Sequence, residues 1–141
     1  MPDSETVMAF DFGEKRIGVA IGETLLGQAR ALATVAESAN DRRFAAIGRL
    51  IDEWRPARLV VGLPRHQDDA EHEFAARCER FARQLEGRYR LPVEMADERY
   101  SSAIAATQLA GDKRKLKARL DAEAAAVILQ AWFDQRNSLV H

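Results

Sequence analysis

Two short apolar runs, Val7 to Phe12 and Ile17 to Ile21, flank the four residues Gly13-Glu14-Lys15-Arg16. A gap this short closes a hairpin, because a parallel pair needs a crossover of a dozen or more residues. The N-terminal part of the chain is therefore expected to be antiparallel. The first run carries a carboxylate, Asp11, near its end. A charge interrupting an otherwise buried strand is costly unless something compensates it. A metal ion is one compensator, and the basic turn Lys15-Arg16 lies where a phosphate would approach the same ion. The plainer alternative is an Asp that only caps the turn.

The rest of the chain alternates between strand and helix patterns. Gln28 to Val35 reads as a third strand. Asn40 is placed as a helix N-cap, with Phe44, Ile47, Leu50, Ile51 and Trp54 following at helical spacing until Pro56 stops the helix. Leu59-Val60-Val61 is a short buried strand ended by Gly62-Leu63-Pro64, and a polar loop with Asp68 and Asp69 follows. A long helix then carries Phe74, Cys78, Phe81 and Leu85 on one stripe. Leu91 to Ala96 is the next strand and runs into Asp97-Glu98-Arg99. Ala103 to Leu109 is expected to be helical, Gly111 to Arg119 a charged connector, and a last helix is expected to start near Asp121. Helices between later strands imply parallel pairing. The expected fold class is α/β, a mixed sheet with an antiparallel meander first and parallel strands after, packed by helices in one domain over 1–141.

Composition bounds the function. A chain of 141 residues buries roughly 70% of its unfolded surface and needs no covalent staple. Cys78 is the single cysteine, so no intramolecular disulfide forms, and it falls on an apolar helix face. With 21 basic and 22 acidic residues the net charge is −1, so attraction to nucleic acid has to come from a local patch. No apolar run approaches the ~20 residues that span a membrane. The acidic, polar start Met1 to Thr6 is unlike a signal peptide. The expectation is a soluble, cytoplasmic protein.

Three acidic positions fall at element ends: Asp11, the pair Asp97-Glu98, and Asp121. Sites in open α/β sheets gather at the carboxyl ends of strands. Asp121 shares a helical face with Ala125, Ile128, Leu129 and Trp132, and so points toward the sheet. Glu123 lies about 200° around the same helix and faces solvent. An N-cap role suits Asp121 as well. Converging carboxylates need a cation, and oxygen-only ligands suit Mg²⁺ or Mn²⁺. His66, His72 and His141 are scattered and read as surface residues, so zinc is not indicated. Lys113, Arg114, Lys115, Lys117 and Arg119 place five basic residues in seven positions ahead of Asp121. Such a cluster binds phosphate backbones, although a charge run is more often a solvated loop. Strand alternation does not choose between Asp97 and Glu98.

These residues resemble the YqgF family, also called RuvX, a group of Holliday-junction-resolvase-like proteins for which nuclease action on pre-16S rRNA is expected. The resemblance rests on Asp11-Phe12-Gly13 with Ile17-Gly18-Val19-Ala20, on Val61-Gly62-Leu63-Pro64, on Asp97-Glu98-Arg99, and on Asp121 with Ala124-Ala125 and Ile128-Leu129-Gln130. It implies an RNase H-like fold and metal-binding, catalytic roles for Asp11, Glu98 and Asp121, with Glu98 rather than Asp97 chosen by the family alone. The chain departs from the family pattern at Arg65-His66-Gln67-Asp68-Asp69, at Tyr100-Ser101-Ser102, and at Ala122 where Ser is common. No proposed ligand is lost.

The expected activity is divalent-metal-dependent cleavage of phosphodiester bonds in structured nucleic acid. Lys15, Arg16, Arg99, Lys113, Arg114, Lys115 and Lys117 are the expected nucleic-acid contacts. Maturation of the rRNA 5′ end is the substrate the family suggests, and branched DNA is second. A junction-cleaving role would favour a homodimer. One rival is an ATP-binding domain, because Asp11 to Ala20 also looks like the first phosphate loop of actin-like kinases. That fold needs two related domains, and 141 residues supply one. Another rival is a non-catalytic nucleic-acid-binding protein that keeps the carboxylates for structure.

Overall fold

A computed structural model describes residues 4–13, 15–63, 69–97 and 113–140, with the side chains of 69–72, 97, 113–120 and 137–140 outside the description. The elements are β1 (Thr6–Asp11), β2 (Ile17–Glu23), β3 (Gln28–Val35), α1 (Asn40–Trp54), β4 (Arg58–Leu63), α2 (Asp69–Tyr89), β5 (Val93–Asp97) and α3 (Lys113–Val140). The five strands form one sheet in the order β3-β2-β1-β4-β5. β1 pairs antiparallel with β2, and β2 with β3, as the short turns require. β4 pairs parallel with β1, and β5 with β4, across the helical connections. The expected mixed sheet is therefore present, and its carboxyl-end strands β1, β4 and β5 all point the same way.

Period-two alternation divides the core into two layers. Met8 and Phe10 of β1, with Leu59 and Val61 of β4, pack against Phe44 and Ile47 of α1 and Cys78, Phe81 and Leu85 of α2. Val7 and Ala9 of β1, Val60 of β4 and Ala96 of β5 pack on the other side, against Ala125, Ile128, Leu129 and Trp132 of α3. The α2 stripe and the buried Cys78 are as expected. Tyr89 at the end of α2 donates its hydroxyl to the Phe44 carbonyl at 2.6 Å, tying α2 to α1.

On β2 the alternation has a further consequence. Ile17, Val19 and Ile21 fill the α1/α2 layer. The alternate positions Gly18, Ala20 and Gly22 are all small, and α3 lies close over them. A methyl group on Gly22 would come 2.8 Å from the Phe133 ring. Gln130 fixes the helix at this place: its Oε1 accepts from Ala29 N at 3.0 Å and its Nε2 donates to Gly27 O at 2.9 Å.

Three sequence expectations need correction. α1 is capped by Ala39, with no side-chain cap bond, and Asn40 is already helical. The residues read as a charged connector are helical from Lys113 onward, so α3 begins eight residues before Asp121. Asp121 is consequently interior to the helix and is not its N-cap. The reason is compositional: Lys, Arg, Leu and Ala are all good helix formers, and no Gly or Pro interrupts residues 113–121. The expected helix at Ala103 to Leu109 lies outside the described residues, as does the loop after Leu63.

Candidate active site

The site is built where β1 ends. Asp11 is half-buried, and by alternation it shares the face of Val7 and Ala9, the α3 face. Its antiparallel partner on β2 is Gly18, so the two Cα atoms are about 4.5–5.5 Å apart. A Cβ on Gly18 would lie 1.8 Å from the carbonyl oxygen of Asp121 and 2.2 Å from its carbonyl carbon. The backbone of α3 at Asp121 thus rests directly on Gly18. One glycine brings the end of β1 and the middle of α3 to the same place, and with them Asp11 and Asp121.

The helical-face argument for Asp121 holds. Ala125, Ile128, Leu129 and Trp132 are all buried, and Glu123 is exposed. The Asp121 carboxylate meets a cation already present in the chain: Arg16 Nε lies 2.9 Å from its Oδ2, with the two side chains 31% and 29% exposed. A pair this exposed contributes up to about 1 kcal/mol. Its importance lies in position, since it ties the β1–β2 turn to α3. Lys15, next in the turn, is exposed.

The β1–β2 turn has a second tie that sequence reading missed. Arg43 of α1 is only 5% exposed. It donates from Nε to Glu37 O at 2.6 Å and from its terminal nitrogen to Gly13 O at 2.5 Å, and it lies over the Phe12 ring. A buried guanidinium is held by main-chain carbonyls, which leave no trace in a sequence pattern. Arg43 and Arg16 together pin the segment that follows Asp11.

β5 ends at Asp97, paired with Leu63 of β4. It lies two strands from β1, about 10 Å away at ~4.8 Å per strand. Glu94 and Ala96 of β5 face α3, since Ala96 packs in that layer and Trp132 Nε1 donates to Glu94 Oε1 at 3.3 Å. Glu98 and Arg99 lie outside the described residues, and so does the Asp97 side chain. Lys113, Arg114, Lys115 and Lys117 stand on the first two turns of α3, with their side chains outside the description, as are those of His66, His72 and His141. Among the described residues, no group of three His, Cys, Asp or Glu side chains is placed to hold a metal ion. The two described acids supply oxygen donors only, and this chemistry fits Mg²⁺ or Mn²⁺.

A family model described as RuvX, Holliday junction resolvase, matches residues 5–135. The chain belongs to the RuvX family. A relative from Chromobacterium violaceum is 56% identical over 137 residues, covering 94% of this chain and 100% of that protein, and is named "Putative pre-16S rRNA nuclease". A relative from Dechloromonas aromatica with the same name is 49% identical, over 96% of this chain and 94% of its own. Among solved structures, RuvC of T. thermophilus in complex with a Holliday junction substrate aligns with a TM-score of 0.57 at 16% identity, covering 94% of this chain and 96% of that one. The yeast mitochondrial Holliday junction resolvase Ydc2 aligns with a TM-score of 0.56 at 11% identity, over 96% of this chain and 80% of its own. The RuvX chain thus has the RNase H-like fold of these resolvases. No described helix is long and apolar enough to cross a membrane.

Proposed function

We propose that this RuvX chain is a nuclease that hydrolyses phosphodiester bonds in structured nucleic acid with Mg²⁺ or Mn²⁺, and that its substrate is the 5′ end of pre-16S rRNA. The observation that carries the reading is the convergence of Asp11 and Asp121 on Gly18, at the carboxyl end of β1. The names of the relatives support the activity and the substrate.

Asp11, Asp121 and Glu98 would hold the ion. Glu98 follows β5 directly in the chain and lies outside the described residues. The choice of Glu98 over Asp97 rests on the family resemblance. A bound divalent ion supplies positive charge at the scissile phosphate, worth several kcal/mol in the transition state. Arg16 orients the Asp121 carboxylate, and Lys15 beside it offers an exposed cation to the incoming strand. The basic first turns of α3 add to this field. Cations at a helix N-terminus oppose the macrodipole by about 0.3–1 kcal/mol each. Lys113, Arg114, Lys115 and Lys117, on the first turns of α3, are the further cations proposed to meet the strand.

A second reading is resolution of branched DNA, favoured by the description of the family model. One assay separates the readings: purified protein with Mg²⁺ or Mn²⁺ is offered a pre-16S 5′-end fragment, unstructured RNA and a four-way DNA junction. The expected result is metal-dependent cleavage that is fastest on the pre-16S fragment. Faster cleavage of the junction would move the assignment to DNA. No cleavage of any substrate would leave a nucleic-acid-binding protein without catalysis.

A further inference from the structure

Arg16 stands where the proposed ion belongs. It ends the β1–β2 turn, one residue before β2 begins, and its Nε lies 2.9 Å from Oδ2 of Asp121. That oxygen has essentially no solvent-accessible surface, although the Asp121 side chain is 29% exposed. Gly18 follows two positions later; it carries the backbone of α3 at Asp121 and is the β2 partner of Asp11. One short segment thus supplies the platform for two acids and lays a positive charge on one of them. A guanidinium and a divalent ion compete for such a carboxylate. Both seek its oxygens, and the two cations repel each other, the more so for the ion's second charge. An ion pair at the exposure of Arg16 and Asp121 is weak, so it yields to an ion that a second carboxylate helps to hold. The turn keeps its shape meanwhile, because Arg43 bonds the carbonyl of Gly13, three residues before Arg16.

We infer that Arg16 is an exchangeable cation: it pairs with Asp121 in the metal-free protein, gives the carboxylate up to the divalent ion, and takes a backbone phosphate of the nucleic acid in return. The released guanidinium presents a planar fork that matches a phosphate, and Lys15 beside it is exposed on the same turn. Ion and strand therefore bind cooperatively, since the ion releases the group that the strand then holds. The inference rests on the nuclease reading for its ion and its strand. Were Arg16 a fixed support that stays on Asp121, its removal would weaken metal binding. Exchange predicts the opposite sign.

The test is calorimetric titration of Mn²⁺ into wild type, Arg16→Gln and Arg42→Gln without nucleic acid, with unfolding curves in EDTA to check that each variant folds. Arg16→Gln is expected to bind Mn²⁺ roughly tenfold tighter than wild type. Arg42→Gln removes the same charge from a side chain of α1 that is 76% exposed, and is expected to change affinity less than about twofold. The second measurement is anisotropy of a fluorescent single-stranded RNA, in EDTA and then in Ca²⁺, another oxygen-seeking ion, with a gel to verify that the strand stays intact. Ca²⁺ is expected to tighten RNA binding roughly tenfold in wild type and about threefold or less in Arg16→Gln. Unchanged or weaker Mn²⁺ binding by Arg16→Gln, with wild type binding the ion, would overturn the exchange and leave the metal site standing. Equal tightening in Arg42→Gln would reduce the effect to general charge and overturn it as well. Equal gains of RNA affinity in wild type and Arg16→Gln would overturn the transfer of Arg16 to the strand. No Mn²⁺ binding by any of the three proteins would remove the metal reading, and the exchange with it.

Discussion

Asp11→Asn is expected to slow phosphodiester cleavage by roughly a thousandfold while leaving the fold intact. The magnitude follows from losing an ionised oxygen ligand: about 4 kcal/mol of transition-state stabilisation is about three powers of ten in rate. The fold is spared because Asn has the same shape, and the β1–β2 ladder uses only the main chain of Asp11. The thermal midpoint is expected to stay level or rise without metal, since one of two acids gathered at Gly18 loses its charge. Single-turnover cleavage and a thermal melt on the same preparation check both parts. Wild-type cleavage rates in Asp11→Asn would show that the site lies elsewhere.

Gly18→Ala is expected to be strongly destabilising, with the tightest methyl contact among Gly13, Gly18, Gly22, Gly48 and Gly87. The new Cβ would stand 1.8 Å from a main-chain oxygen of α3 and 2.9 Å from the Ala122 nitrogen. Backbone atoms cannot swing aside as a side chain can, so the helix has to lift. Overpacking of this kind costs about 3 kcal/mol or more, which lowers the melting temperature by about 10 °C in a domain of this size. Lifting α3 also moves Asp121 away from Asp11, so cleavage should fall with stability. Gly87→Ala is the control. Among the described residues, no atom lies within 4 Å of where its methyl group would stand on α2, and replacing a helical glycine gains about 0.5–1 kcal/mol. Urea midpoints of the two variants should move in opposite directions. A Gly18→Ala protein as stable as wild type would contradict the close approach that assembles the site.

Much of this arrangement was legible in the sequence because it is periodic. The Val7–Phe12 and Ile17–Ile21 runs, the α2 stripe ending at Leu85, and the buried face of Ala125, Ile128, Leu129 and Trp132 all come from spacing alone. The start of α3 did not. Five of its first seven residues are basic, and so few apolar residues there leave no clear helical stripe. The propensity of Lys, Arg, Leu and Ala was the better guide there. Asn40 is a good cap by type, yet the chain turns helical one residue earlier and leaves that place to Ala39. The spacing Gly18-Val19-Ala20-Ile21-Gly22 shows a smooth strand face, but its purpose appears only once α3 is seen lying on it. Arg43 gave no signal, since its partners are carbonyls of Gly13 and Glu37. Arg16 was read as a phosphate contact, and its ion pair with Asp121 adds a structural task that needs the third dimension.

In the proposed nuclease, Asp11 and Asp121 belong to one cation site. Calorimetric titration with Mn²⁺ of wild type, Asp11→Asn, Asp121→Asn and the double variant tests it most directly, with Glu123→Gln as the solvent-facing control. If one site is shared, each single Asp variant loses at least about tenfold in affinity, the double variant is little worse than the weaker single, and Glu123→Gln binds as wild type does. Losses that simply add in the double variant, or equal weakening in Glu123→Gln, would contradict a shared site.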